Sequence, residues 1–216
     1  MSKKEKLDKL NKETLECSNC VLRGTCTQVV PGEGSPEAQI MFIGEGPGQK
    51  EDELGRPFVG AAGKFLDEML GTINLKREEI YIANVVKCRP PNNRDPLPEE
   101  VGACWPWLQK QIEIIDPKLI VLLGRHSMER FLPNQKISKI HGKAMRRNIP
   151  ELGARVFYAL YHPAAALYNG SMRSVLIEDF KKIPKVLEAI EKSGSEIINE
   201  NENLTVSNEE KQEALF

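Results

Sequence analysis

No run in this sequence approaches the roughly 18 consecutive apolar residues a membrane-spanning helix needs. Its first twelve residues, Met1 to Lys12, are Lys-rich and polar with no apolar stretch. Neither a membrane span nor a secretory signal is expected, and the chain reads as cytoplasmic. An excess of charge of one sign is missing too, since 30 Lys and Arg face 31 Asp and Glu for a formal net charge of −1. The balance is uneven along the chain. Residues 193–216 hold six Glu and one Lys, so the first 192 residues carry +4. A modestly basic body can still bind nucleic acid through a local patch, and overall charge excludes nothing here. There is no internal repeat. The five cysteines are an odd number without a secretory signal, which argues against a disulfide framework and towards metal or cluster ligation.

What is present is enough apolar material, 40% of 216 residues, for one globular domain. Four apolar runs have the length of strands: Gln39 to Gly44, Ile80 to Val86, Lys118 to Gly124 and Arg155 to Tyr161. Helical patterns span Lys3 to Leu15, Ala61 to Leu70, Pro98 to Ile115, Ser127 to Leu132 and Arg173 to Ile190, with Asp116-Pro117 stopping the third. Four such strands, apolar through most of their length and alternating with helices, predict an α/β fold with a parallel sheet covered on both faces. Residues 1–192 are read as one domain with an N-terminal cysteine loop. The Glu-, Asn- and Ser-rich segment 193–216 is expected to be a disordered tail.

Ligands of such sheets sit at the carboxyl ends of the strands. The first strand runs into Gly44-Glu45-Gly46-Pro47-Gly48, then Glu51. As a phosphate cradle this is a poor match, because the spacing is GxGxG, Pro47 removes an amide and Glu45 repels phosphate. Phe58, in a Pro/Gly-flanked loop, is suited either to stacking on a base or to core packing. Asn84, in an apolar strand, needs hydrogen-bond partners and suits a base edge. His162 closes the fourth strand, where catalytic and structural roles are equally open. Cys17 and Cys20 form a CxxC; Cys88 follows the second strand and Cys104 lies 16 residues later on a helix. Four thiolates suit structural zinc or an iron–sulfur cluster, and spacing does not separate them. Cys26 is left without a ligand role.

In combination the segments CSNC, VVPGEG, GEGPGQKED, GRPFVGAAGKFLD, NVVKCRPPNNRDPLPEE, IVLLGR and YHPAA resemble the family 4 uracil-DNA glycosylases, the iron–sulfur branch of that superfamily, over about residues 15 to 190. The resemblance implies a [4Fe-4S] cluster on Cys17, Cys20, Cys88 and Cys104, and hydrolysis of the N-glycosidic bond of deoxyuridine in DNA to leave an abasic site. It implies that His162 hydrogen-bonds uracil O2, that Glu45 and Asn93 act at the sugar or the water, and that Phe58 stacks on the ring. Asn84 would read the imide edge, Gly44 and Gly46 would line the uracil site and Glu51 would exclude thymine's methyl. Leu167 would enter the minor groove as a wedge. Lys143, Arg146 and Arg147 are placed on phosphates, with a solvated basic face as the rival reading. Cys26 and His141 stand where many members carry Arg. Gln212, Leu215 and Phe216 resemble a truncated sliding-clamp peptide, and a monomer is expected. Two other readings stay open: a broader glycosylase of the same superfamily, and a non-catalytic metal-stabilised nucleic-acid-binding module.

Overall fold

A computed structural model of the protein describes residues 1–193. The acidic tail and the clamp-like residues Gln212, Leu215 and Phe216 lie outside the described residues.

The strand order is β1 (Glu33–Gly34), β3 (Tyr81–Asn84), β2 (Ile40–Gly44), β4 (Leu119–Leu123), β6 (Gly153–Leu160), β5 (Ala144–Ile149). The four expected strands form the centre, all parallel, with Met41 opposite both Tyr81 and Ile120, and Ile120 opposite Phe157. The sheet is wider than the sequence suggests. β1 and β5 pair antiparallel on its two edges, so it is a mixed six-stranded sheet rather than a four-stranded parallel one. β1 is only two residues, and β5, AMRRNI, is half-buried and polar as an edge strand is.

Side chains alternate across the sheet with the period of two that pleating dictates. Met41, Ile43, Tyr81, Ala83, Ile120, Leu122, Phe157 and Ala159 face one layer, built from α1 (Lys3–Leu15), α4 (Pro98–Ile115) and α5 (Arg125–Phe131). Ile40, Phe42, Ile82, Leu119, Val121, Tyr158 and Leu160 face the other, built from α3 (Ala61–Gly71), α8 (Ser171–Phe180) and α9 (Ile183–Ser193). Three layers result. The single helix expected over 173–190 is two, because Pro184 fits only the first turn of a helix and starts α9. Three short helices carry no periodicity long enough to detect: α2 (Gln49–Leu54), α6 (Ile137–Ile140) and α7 (Ala165–Tyr168).

β2 sends the chain to β3 on one side, and β3 sends it back across to β4 on the other. That reversal opens a crevice beyond the carboxyl ends of the strands, where α/β sheets bind ligands.

Candidate functional site: a strand-end pocket and a four-cysteine cavity

A pocket of about 340 Å³ lies in that crevice, lined among others by Glu45, Gly46, Glu51, Phe58, Asn84, Asn93, Arg94, His162 and Tyr168. Each comes from the loop or strand end the sequence singled out, except Arg94 and Tyr168.

Phe58 is the floor. It is buried, and its ring stacks on His162 with centroids 5.6 Å apart. Its backbone is left-handed at φ 51°, a strained state for a bulky residue that costs on the order of 1–3 kcal/mol and persists only under outside constraint. Three constraints are visible. Glu51 Oε1 accepts from the amides of Val59 and Gly60, both at 2.8 Å. Arg77 donates to the carbonyls of Pro57 and Phe58 at 2.6 and 2.9 Å. Gly63, in α3, lies so close that an added Cβ would meet the Phe58 carbonyl oxygen at 1.8 Å. A Gly63→Ala variant is therefore expected to push Phe58 off its seat, raising KM for the pocket's ligand about ten-fold or more and lowering Tm. Unchanged steady-state kinetics and melting would show the floor to be adjustable.

Asn84 ends β3 with its side-chain oxygen buried and, among the described residues, without a partner. A buried acceptor left open costs about 1–3 kcal/mol, which a ligand donor recovers. Gly44 is not a wall of the pocket. It makes room behind it, since a Cβ there would stand 2.5 Å from Asn84 Oδ1 and 2.8 Å from the Phe58 ring.

His162 follows β6. The amide of Ala164 donates to its Nδ1 at 3.1 Å, which puts the imidazole proton on Nε2. Burial pushes its pKa down to about 4, with Glu51 opposing the shift, so the ring is neutral at physiological pH. A neutral N–H donor thus shares the pocket with an amide.

Glu45 has its carboxyl pKa raised, first by burial, with His126 and Arg125 opposing and Asp95 and Glu129 adding to the shift. Glu45 Oε2 is 3.8 Å from His126 Nε2, which is 3.2 Å from Asp95 Oδ2. Donor atoms of Glu45, Asp95 and His126 lie within 4.8 Å of one another, the spacing of metal ligands. The Arg125 guanidinium, however, sits 2.9 Å from the same His126 nitrogen, so a cation already stands there and the group reads as a charge cluster. Sequence reasoning missed Asp95, Arg125 and His126, although His126 is one of only three histidines. Asn93 is on the exposed rim, and its Oδ1 accepts from Arg89 at 2.7 Å. Arg94 reaches from the pocket to buried Glu100 on α4, at 2.6 Å.

Leu167 and Tyr168 lie on α7, 50% and 92% exposed, and Tyr168 lines the pocket. Tyr168 is a further miss, signalled only by its place beside the expected wedge. The register of β5 sets Lys143 at the pocket end of the sheet and carries Arg146 and Arg147 progressively away. His141 is tied into the body, its Nδ1 2.5 Å from Asp179 Oδ2.

Cys17, Cys20, Cys88 and Cys104 wall a second cavity with Lys87 and Trp107, and Cys26 is not among its walls. Trp107 Nε1 donates to Cys17 Sγ at 3.1 Å, and the Lys87 amide donates to Cys104 Sγ at 3.2 Å, bonds that suit thiolate. Among the described residues no three cysteine sulfurs come within 4.8 Å of one another. Four cysteine sulfurs around one cavity, two of them accepting N–H bonds, are a donor set for a metal ion or an iron–sulfur cluster.

Taken together, a stacking floor, an amide with an open acceptor and a neutral imidazole donor, set at a strand switch point, define an α/β protein with a pocket for one planar, hydrogen-bonding base. Residues 31–190 match the family described as the Uracil DNA glycosylase superfamily. The chain belongs to that superfamily. It is 51% identical over 185 residues to a type-4 uracil-DNA glycosylase of Sulfurisphaera tokodaii, covering 83% of this chain and 84% of that one. To the type-4 enzyme of Archaeoglobus fulgidus it is 48% identical over 186 residues, covering 83% and 92%. To that of Saccharolobus solfataricus it is 47% identical over 189 residues, covering 85% and 87%.

Proposed function

We propose that the chain is a DNA-repair uracil-DNA glycosylase, working as a monomer, that takes uracil from DNA and hydrolyses its N-glycosidic bond to leave an abasic site. The observation that carries this is the pairing of Asn84's open acceptor with the neutral His162 donor across a pocket floored by Phe58. A base inside a duplex is out of reach, so it must be extruded, at a cost of a few kcal/mol that is least at a mismatch. In the pocket Phe58 stacks on the ring. Asn84 accepts from N3–H and donates to O4, an arrangement cytosine reverses. Glu51, held by two loop amides, faces the position of thymine's methyl group.

Bond cleavage leaves positive charge on the sugar and negative charge on uracil. The Nε2–H of His162 donates to O2 and stabilises the anion without surrendering its proton. Glu45, ionised, faces the sugar and orients the attacking water; Asn93 assists from the rim. Leu167 fills the vacated stack, while Lys143 and Arg146 meet phosphates. Cys17, Cys20, Cys88 and Cys104 would hold a [4Fe-4S] cluster, which supplies a cross-link between the N-terminal loop, the β3 loop and α4.

The test is an oligonucleotide carrying one uracil, beside strands with thymine, cytosine and hypoxanthine, followed by alkali. Breakage at uracil alone supports the reading; breakage at hypoxanthine as well favours a broader glycosylase, and none anywhere favours a binding module. The pH profile provides a further check. Burial raises Glu45's pKa, so activity that needs its carboxylate should fall as pH drops through a value above the ordinary carboxylate range. Glu45→Gln should flatten that limb. His162, already neutral, should add no limb near pH 6.5.

A further inference from the structure

Lys87 is the least expected group in the core. It is 1% exposed, and its Nζ donates to the Asn84 carbonyl at 2.9 Å and to Gln111 Oε1 at 2.7 Å. Both partners are neutral, and among the described residues no carboxylate pairs with it. A buried ammonium without a counter-charge costs several kcal/mol, which two neutral acceptors do not cancel. The group on which negative charge would gather is the four-cysteine cavity, of which Lys87 is a wall. The backbone amide of the same residue donates to Cys104 Sγ, and Cys88 is the next residue. Four thiolates outweigh the positive charge of an iron–sulfide core, so a bound cluster presents a net negative charge to Lys87.

We propose that Lys87 is the counter-charge of the cluster and a positioning residue for Asn84. Its ammonium is held in the core by the cluster's charge and in turn holds the peptide that follows the base-reading side chain. The inference rests on the cluster assignment above. It extends it, because the cofactor then supports base recognition as well as cross-linking the chain. Gln111 completes the link: its Nε2 donates to the Pro31 carbonyl at 2.8 Å and to the Tyr81 hydroxyl at 3.2 Å, which fixes the acceptor that faces Nζ.

Two variants of the loaded protein test this. Lys87→Met removes the charge at similar volume, and Gln111→Glu sets a carboxylate against it. Each makes the surroundings of the cluster more negative, so the midpoint potential should fall in both. Iron should pass to a chelator about ten-fold faster or more, the usual cost of losing an outer partner of a metal site. Lys87→Met should also raise KM for uracil DNA, with a smaller change in kcat. If Lys87→Met does not fold, Gln111→Glu carries the test alone. Wild-type potential and iron retention in the soluble variants would overturn the proposal while leaving the cluster intact. Wild-type protein that binds zinc, or no iron, would overturn the cluster assignment and this inference with it.

Discussion

Replacing His162 with Ala is expected to slow uracil excision under single-turnover conditions by about 100- to 1,000-fold, the usual cost of removing one pre-aimed donor from a developing anion. The effect should fall on kcat. Stacking on Phe58 and the contacts of Asn84 are made equally by the bound base and by the transition state, so they survive the substitution. Two features of the ring make the expectation sharp. The Ala164 amide occupies Nδ1, so the proton is on Nε2. Burial pushes its pKa down to about 4, so the ring is neutral and the Nε2–H donor is present across the physiological range. The rate should thus show no step near pH 6.5 in the wild type, and the acid limb set by Glu45 should persist in the variant. A His162→Ala protein excising uracil at more than about a third of the wild-type rate would remove the leaving-group role.

Replacing Cys88 with Ala is expected to abolish iron binding and most soluble protein. Cys88 is four residues beyond Asn84 in sequence, Cys104 is inside α4, and Cys17 and Cys20 follow α1, so one cluster would tie three distant parts of the chain. Loss of a structural metal is among the few single changes worth more than about 4 kcal/mol. For a domain of this size that is a fall in Tm on the order of 8–16 °C. Iron content and a thermal melt measure it. A soluble, fully active, colourless Cys88→Ala protein would rule out a structural cluster.

The legible parts of the fold are those where one side chain type serves one purpose. Leu119–Leu123 is buried on both faces, so every residue is apolar and the strand is evident. β5 escapes notice because an edge strand is free to be polar, and Arg146 and Arg147 read first as a basic surface. The same division holds at the site. Glu45, Phe58, Asn84, Asn93 and His162, each at a strand end or in the loop after it, line one pocket. What surrounds them was hidden, since Arg77 reaches Phe58 across 19 positions and His126 meets Asp95 across 31. Glu51 shows how a residue can be located and only half understood. Its two amide bonds to the Phe58 loop depend on a left-handed backbone that no residue preference announces.

The braced loop of Phe58 has a consequence for how such an enzyme would inspect a genome. Its strain is borne during folding, so the template is finished before any nucleotide enters it. Normal bases vastly outnumber uracil, and each brief extrusion presents one for comparison. A floor already braced by Glu51, Arg77 and Gly63 has no closing step to make before it meets that base.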